Sequence, residues 1–218
     1  MKIENKVNYQ RVLEGIIKEQ NPNDRKSVLL HSCCAPCSSY VMEYLREFFD
    51  LTVFYFNPNI TEREEYRKRV EEQKRLIGEM NAEKPEYQIS FLEGEYVPER
   101  FFEIAKGREQ DQEGGERCYY CYEIRLRESA SIAKELGMDY FGTTLTISPL
   151  KYADKLNQIG TVLEEEFKVL YLSSDFKKKN GYKRSVELSK EHDLYRQDYC
   201  GCIYSKMQRQ AEIKENLE

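Results

Sequence analysis

Five short apolar stretches rich in β-branched and aromatic residues punctuate the chain: KSVLLH (26–31), LTVFYF (51–56), YQISFL (87–92), DYFGTT (139–144) and FKVLYL (167–172). Runs of this length, bounded by polar turns, predict buried β-strands. Between them, residues 38–49, 61–81, 97–107, 118–136 and 149–166 predict helices, and Gly137 is placed to end the fourth helix just before the next strand. Strands alternating with helices give an α/β fold, a parallel sheet of about five strands with helices on both faces. The pattern is read as one α/β domain over residues 1–218, in which 195–218 form a C-terminal extension carrying Cys200 and Cys202.

In such sheets ligands gather beyond the carboxyl ends of the strands. HSCCAPCS (31–38) follows the first predicted strand, NPN (57–59) the second, TLTISP (144–149) the fourth and SSDFKK (173–178) the fifth. The loops with the most distinctive chemistry therefore fall on one edge. The cysteines of 108–121 and of the tail are expected to reach the same edge.

Composition narrows the setting. Hydrophobic residues make up 40% of the chain, enough for a packed core, and no run of ~18 apolar residues is available to span a membrane. The opening MKIENKVNYQ lacks the apolar stretch of a secretory leader, so a cytoplasmic location is expected. Net charge is −5, which argues against a generic nucleic-acid binder. The charge is uneven, however: residues 91–116 hold eight acidic and three basic side chains, while KKKNGYKR (177–184) is largely basic and could meet phosphates.

Seven cysteines change the picture most. Cytosolic thiols stay reduced, so clustered cysteines there point to metal or redox chemistry rather than a disulfide framework. Cys33, Cys34 and Cys37 lie at a strand-to-helix turn, where free backbone N–H groups and a helix N-terminus stabilise thiolates and anionic clusters. Cys118 and Cys121 form a C-x2-C pair, preceded by two glycines and flanked by Arg117; such a pair can ligate one metal centre. Cys200-Gly201-Cys202 is a C-x-C pair that can close a strained, easily reduced disulfide or bind metal.

Histidine is limited to His31, read as a buried supporting group, and His192, read as solvent-facing in a charged helix, so mixed Cys/His zinc chemistry has little material. Four thiolates on a [4Fe–4S] cluster, with three cysteines left for chemistry, use the inventory best. The chain lacks the C-x3-C-x2-C run of radical-SAM enzymes, the ferredoxin run and the SGGxDS turn of ATP pyrophosphatases.

HSCCAPCS (31–38), FNPNI (56–60), EGGERCYYCYEIRL (113–126), TTLTISP (143–149), DFKKKNGY (175–182) and YRQDYCGCIYS (195–205) together resemble the signature blocks of QueH-type epoxyqueuosine reductases. The resemblance implies a nucleotide-hydrolase-like (HUP) α/β fold and the last step of queuosine synthesis. In that step the epoxide of epoxyqueuosine, at the wobble position of tRNA, is reduced to a cyclopentene with loss of water. It further implies a [4Fe–4S] cluster with an additional iron beside it, no cobalamin, and an external electron donor.

On that basis Cys33, Cys34, Cys118 and Cys121 are expected to hold the cluster. Cys37, Cys200 and Cys202 are left for a second iron or a redox-active dithiol. A carboxylate would complete such an iron; Asp175 is favoured narrowly over Asp198 because it follows the fifth strand. Lys177, Lys178, Lys179, Lys183 and Arg184 are candidates for tRNA phosphates, and Tyr119, Tyr120 or Tyr182 for stacking on an extruded base. Two alternatives carry different chemistry: a thiol-disulfide oxidoreductase with structural zinc, and a zinc-stabilised RNA-binding module.

Overall fold

The structure, a computed structural model, describes residues 7–215. The first six residues, within the stretch read for a leader, and the last three of the tail lie outside the described residues.

Five strands form one all-parallel sheet: β1 (Ser27–His31), β2 (Asp50–Tyr55), β3 (Ile89–Glu93), β4 (Tyr140–Thr143) and β5 (Leu170–Tyr171), in the order β3-β2-β1-β4-β5. Every expected strand is present, each within a few residues of its reading. The last is the exception in length: it pairs through Leu170 and Tyr171 only, a short edge that offers little to a foreign strand.

Alternation along β1 sets the two faces. Val28 and Leu30 join Val41, Met42 and Leu45 of α2 (Ala35–Leu45) and Leu76 and Met80 of α3 (Arg63–Glu83) in one core, together with Leu13 of α1 (Tyr9–Lys18). Leu29 points the other way, to Leu126, Ala130 and Ala133 of α5 (Glu116–Glu135) and Leu156 and Leu163 of α6 (Ala153–Phe167). Both faces are thus covered, which is why the strands read as near-continuous apolar runs.

The expected helices correspond to α2, α3, α4 (Pro98–Ala105), α5 and α6. Two more were not expected, α1 and α8 (Ile203–Glu215), while α7 (Gly181–Glu191) accounts for the charged helix read at His192. The α7 helix packs on α2, and His192 just beyond its end is a correction to the solvent-facing reading. Its side chain is 9% exposed, with Nδ1 2.9 Å from Glu79. No described helix is long and apolar enough to cross a membrane.

The chain runs from β1 outward through β2 and β3, then returns to place β4 on the other side of β1. His31 therefore lies in register beside Thr143, at the point where the strand order reverses. A crevice opens at such a point, beyond the strand ends.

Close packing of α6 on the sheet edge depends on Gly160. A Cβ there would lie 2.3 Å from the Tyr171 ring. Gly160→Ala should therefore lower stability by ~1–3 kcal/mol, the usual cost of overpacking. Equilibrium urea unfolding checks this; an unchanged midpoint would mean that Tyr171 moves aside freely.

Candidate active site

The β1–α2 turn builds the first group of thiols. Cys34 is the residue before α2, in extended conformation, and Pro36 opens the helix where a missing N–H costs nothing. Cys37 then falls in the first turn. The three sulfurs of Cys33, Cys34 and Cys37 lie within 4.8 Å of one another, with Cys33 and Cys34 3.7 Å apart. Two thiolates on one tetrahedral metal ion stand roughly 3.8 Å apart, given metal–sulfur bonds near 2.3 Å. The trio thus has the spacing of a single-ion site. Thiols of Cys34 and Cys37 donating to Cys33, with Arg125 beside it, hold Cys33 well below the usual thiol range. Donating a hydrogen bond to that neighbour pushes Cys34 up to about 12.

The second group sits on α5 and the tail. Cys118 accepts a 3.3 Å hydrogen bond from the Gly114 N–H. One turn on, Cys121 is buried, and burial pushes its thiol up to about 12. The tail returns Cys200 and Cys202 to the same place because Arg69 of α3 donates to the carbonyls of Cys200 (3.1 Å) and Tyr199 (3.4 Å). Gly201 between them has φ +119°, and a Cβ there would press within 2.9 Å of Ile60, so the spacer has to be glycine. Cys202 then precedes α8 as Cys34 precedes α2, and accepts from the Ser205 N–H at 3.3 Å.

Cations fill the space between these groups. Arg125 is fully buried: its Nη2 donates to Asn57 Oδ1 at 2.7 Å and its Nη1 lies 3.9 Å from Cys121 Sγ. Burial alone would weaken that charge, but Cys121, Cys33 and Cys200 around it hold its pKa above the usual value. Lys151 is likewise buried, 2.7 Å from Glu113 and 3.2 Å from Cys200 Sγ; these two neighbours outweigh its burial and keep it charged. Arg117 donates Nη1 to the carbonyls of Arg108 and Glu109, while its buried Nε and Nη2 have no partner. Neither Arg117 nor Arg125 meets a carboxylate at ion-pair distance among the described residues, in contrast with Arg69, which has Glu65 at 2.7 Å.

Two openings serve this arrangement. A cleft of about 180 Å³ is bordered by Cys33, Cys37, Cys200, Lys151, Tyr182 and Asp198. Behind it, Cys118, Cys121, Cys200 and Cys202 close around a void of about 10 Å³. All seven cysteines are free thiols, and Cys200 borders both spaces.

The donor set and the charge both fit an anionic iron–sulfur group. Seven soft sulfur ligands are available, and two buried guanidiniums await negative charge.

Other expected site residues lie elsewhere. Asp175 is 13% exposed, pairs with Lys177 at 3.0 Å and is absent from the lining of the cleft, whereas Asp198 lines it. The chain turns away after β5 instead of crossing the strand ends, which takes Lys178 and Lys179 to the side of α1, where Lys179 meets Glu14. Lys183 faces Glu187 at 4.0 Å, and Arg184 pairs with Glu43 and Glu191. Of the tyrosines, Tyr182 lines the cleft; Tyr119 packs on Tyr122 and Tyr152, and Tyr120 lies under the Arg108 guanidinium. The sequence reading missed Arg125, Asn57, Lys151 and Arg69. Only Arg125 had a usable signal: with Arg117 and Cys121 it repeats every fourth residue, one stripe of a helix.

A parallel α/β sheet with a thiol-and-cation centre at its switch point defines a protein built for sulfur-based metal or redox chemistry. The family model described as "Epoxyqueuosine reductase QueH" matches residues 28–208. A protein of that name from Streptococcus pyogenes serotype M1 is 45% identical over 205 residues, covering 93% of this chain and 80% of its own length. One from Staphylococcus epidermidis is 40% identical over 96% of this chain and 89% of its own, and one from Thermotoga maritima 33% over 87% and 95%. The chain belongs to the epoxyqueuosine reductase QueH family and is an oxidoreductase.

His31, beneath the thiols, is engaged at both ring nitrogens: Nδ1 lies 3.0 Å from Thr143 Oγ1, and Nε2 lies 3.1 Å from the Phe56 carbonyl and 3.3 Å from the Arg125 Nε–H. Burial, then the Arg125 charge, lowers its pKa from 6.5 to about 3. The unfolded chain therefore takes up a proton below pH 6.5 that the native state refuses. Stability from this group is complete above that value and falls by up to ~1.4 kcal/mol per pH unit below it. In the metal-free protein, NMR ring shifts of His31 should stay flat down to about pH 4; titration near 6.5 would show an open, solvated ring.

Proposed function

We propose that this chain reduces epoxyqueuosine in tRNA to queuosine, using an iron–sulfur centre and a second redox element. The observation that carries this reading is a cleft lined by the free thiols of Cys33, Cys37 and Cys200 with the buried cations Arg125 and Lys151, backed by a void that Cys118, Cys121 and Cys202 line, in a chain whose relatives are named for that reduction.

Removing the epoxide oxygen breaks two C–O bonds, forms one C=C bond, and consumes two electrons and two protons to release water. Oxidation of the Cys200 and Cys202 thiols to a disulfide yields two electrons and two protons, which balances one turnover. An external donor would then restore the dithiol. Cys33 and Cys34, just before α2, and Cys118 and Cys121, in the first turns of α5, would hold the [4Fe–4S] cluster. Cys37 and Asp198 are the groups left on the cleft for a further iron. When bound, the cluster would pass electrons singly and an iron with an open position would act as a Lewis acid towards the oxygen.

The chain's own residues do the rest. The Lys151 ammonium borders the cleft and offers charge to a developing alkoxide. Leu145, Ile147 and Pro149 make its apolar wall and limit water. Tyr182 is placed for a base to stack on. Lys177, Lys183 and Arg184 would reach phosphates by exchanging their carboxylate partners, so that contribution, with Lys178 beside them, should be salt-sensitive.

One observation supports a different division of sulfurs. Of the seven cysteines, Cys118, Cys121, Cys200 and Cys202 are those that line the inner void, while the trio has single-ion spacing. Iron counts on single Cys→Ala variants separate the two. In the first division Cys34→Ala loses all ~4 cluster irons and Cys202→Ala at most one; in the second the outcomes exchange.

Anaerobically purified protein should be brown and should convert epoxyqueuosine-tRNA to queuosine-tRNA with a strong reductant, read as loss of one oxygen from the nucleoside mass. A colourless zinc protein that binds tRNA without turnover would sink the proposal in favour of an RNA-binding module.

A further inference from the structure

Three side chains on α5 repeat every fourth residue: Arg117, Cys121 and Arg125. They form one stripe along the helix, with a sulfur in the middle and a guanidinium one turn to either side. All three are buried, at 1%, 5% and 0% exposure. Arg125 is tied to the outer sulfurs through Asn57, which donates to the Ser32 carbonyl at 2.8 Å while accepting from Arg125 at 2.7 Å. Arg117 lies over the Tyr204 ring, on the side of Cys202, with two nitrogens unpartnered.

A buried charge that nothing neutralises costs several kcal/mol. Arg69 and Lys151, equally buried, each have a carboxylate at 2.7 Å. Arg117 and Arg125 have none at that range among the described residues, and both border the sulfur-lined void. Their geometry is that of a clamp for an anion spread over several sulfurs.

We propose that the Arg117–Cys121–Arg125 stripe is an electrostatic clamp that sets the reduction potential of the sulfur-bound centre, with Arg125 and Arg117 acting as positioning residues. This rests on the iron–sulfur reading above. Reduction adds negative charge to a centre that thiolates already make anionic. Fixed cations on both sides stabilise the reduced form more than the oxidised form, which raises the potential. Water is excluded at this depth, so the effect is little screened.

The test is a redox titration of the reconstituted, iron-loaded protein, followed by its visible and EPR spectra, for wild type, Arg125→Lys, Arg125→Met, Arg117→Met and the surface control Arg209→Met. Iron per chain is measured on each sample. The clamp predicts that Arg117→Met and Arg125→Met shift the midpoint to more negative values. Arg125→Lys, which keeps the charge but loses the fork to Asn57, should stay near wild type, and so should Arg209→Met. Should Arg125→Met fail to retain iron, Arg117→Met and Arg125→Lys carry the comparison. Iron-replete Met variants with an unshifted midpoint would overturn the clamp and leave the iron–sulfur reading intact. A wild type that takes up no iron would overturn both.

Discussion

A guanidinium in a low-dielectric interior has to be neutralised, and Arg125 is buried with no carboxylate beside it. The arrangement of the centre follows from that constraint. The groups that hold its pKa up are sulfurs drawn from three regions of the chain: Cys33 after β1, Cys121 on its own helix, and Cys200 in the tail. An arginine in this position makes the thiols mutually dependent. Each thiolate lowers the cost of the buried cation, and the cation favours the thiolate form of each.

The sheet supplies the rigid frame for this. Parallel strands buried on both faces cannot slide, because a one-residue slip would turn Leu29 toward the wrong core. With β1 and β4 fixed side by side, the turn bearing Cys33 and the 144–147 segment open on the same crevice. The α5 helix reaches that crevice from the opposite face, with Leu126 and Ala130 packed against the sheet while Cys118 and Cys121 stand at its amino end. The fold places chemistry at one edge by stacking ordinary apolar surfaces elsewhere.

The sheet was legible because its strands carry their burial in composition alone: VLL, VFY and the like have no other comfortable environment. Of the missed helices, α8 buries little beyond Ser205, so periodicity had almost nothing to register there, whereas α1 carries a helical stripe of Leu13, Ile16 and Ile17 that the strand-and-helix alternation did not call for. At the site, cysteines announce themselves by rarity and spacing. Arginines do not, since a buried Arg125 and an exposed Arg209 are the same letter. The choice between Asp175 and Asp198 turned on the path of the chain after β5, which is decided by tertiary contacts such as the Lys179–Glu14 pair and is written in no local pattern. The carboxylates that α1 and α2 bring to Lys179 and Arg184 are likewise written in no local pattern.

The hold of Arg69 on the Tyr199 and Cys200 carbonyls joins positions 130 and 131 residues apart in sequence. During vectorial synthesis the first five thiols and both clamp arginines emerge well before the segment that closes over them. The growing chain therefore passes through a stage in which the frame can form while the last two sulfurs are still to come. Closure waits for the tail, when Gly201 wedges against Ile60 and seals the centre from the side of α3.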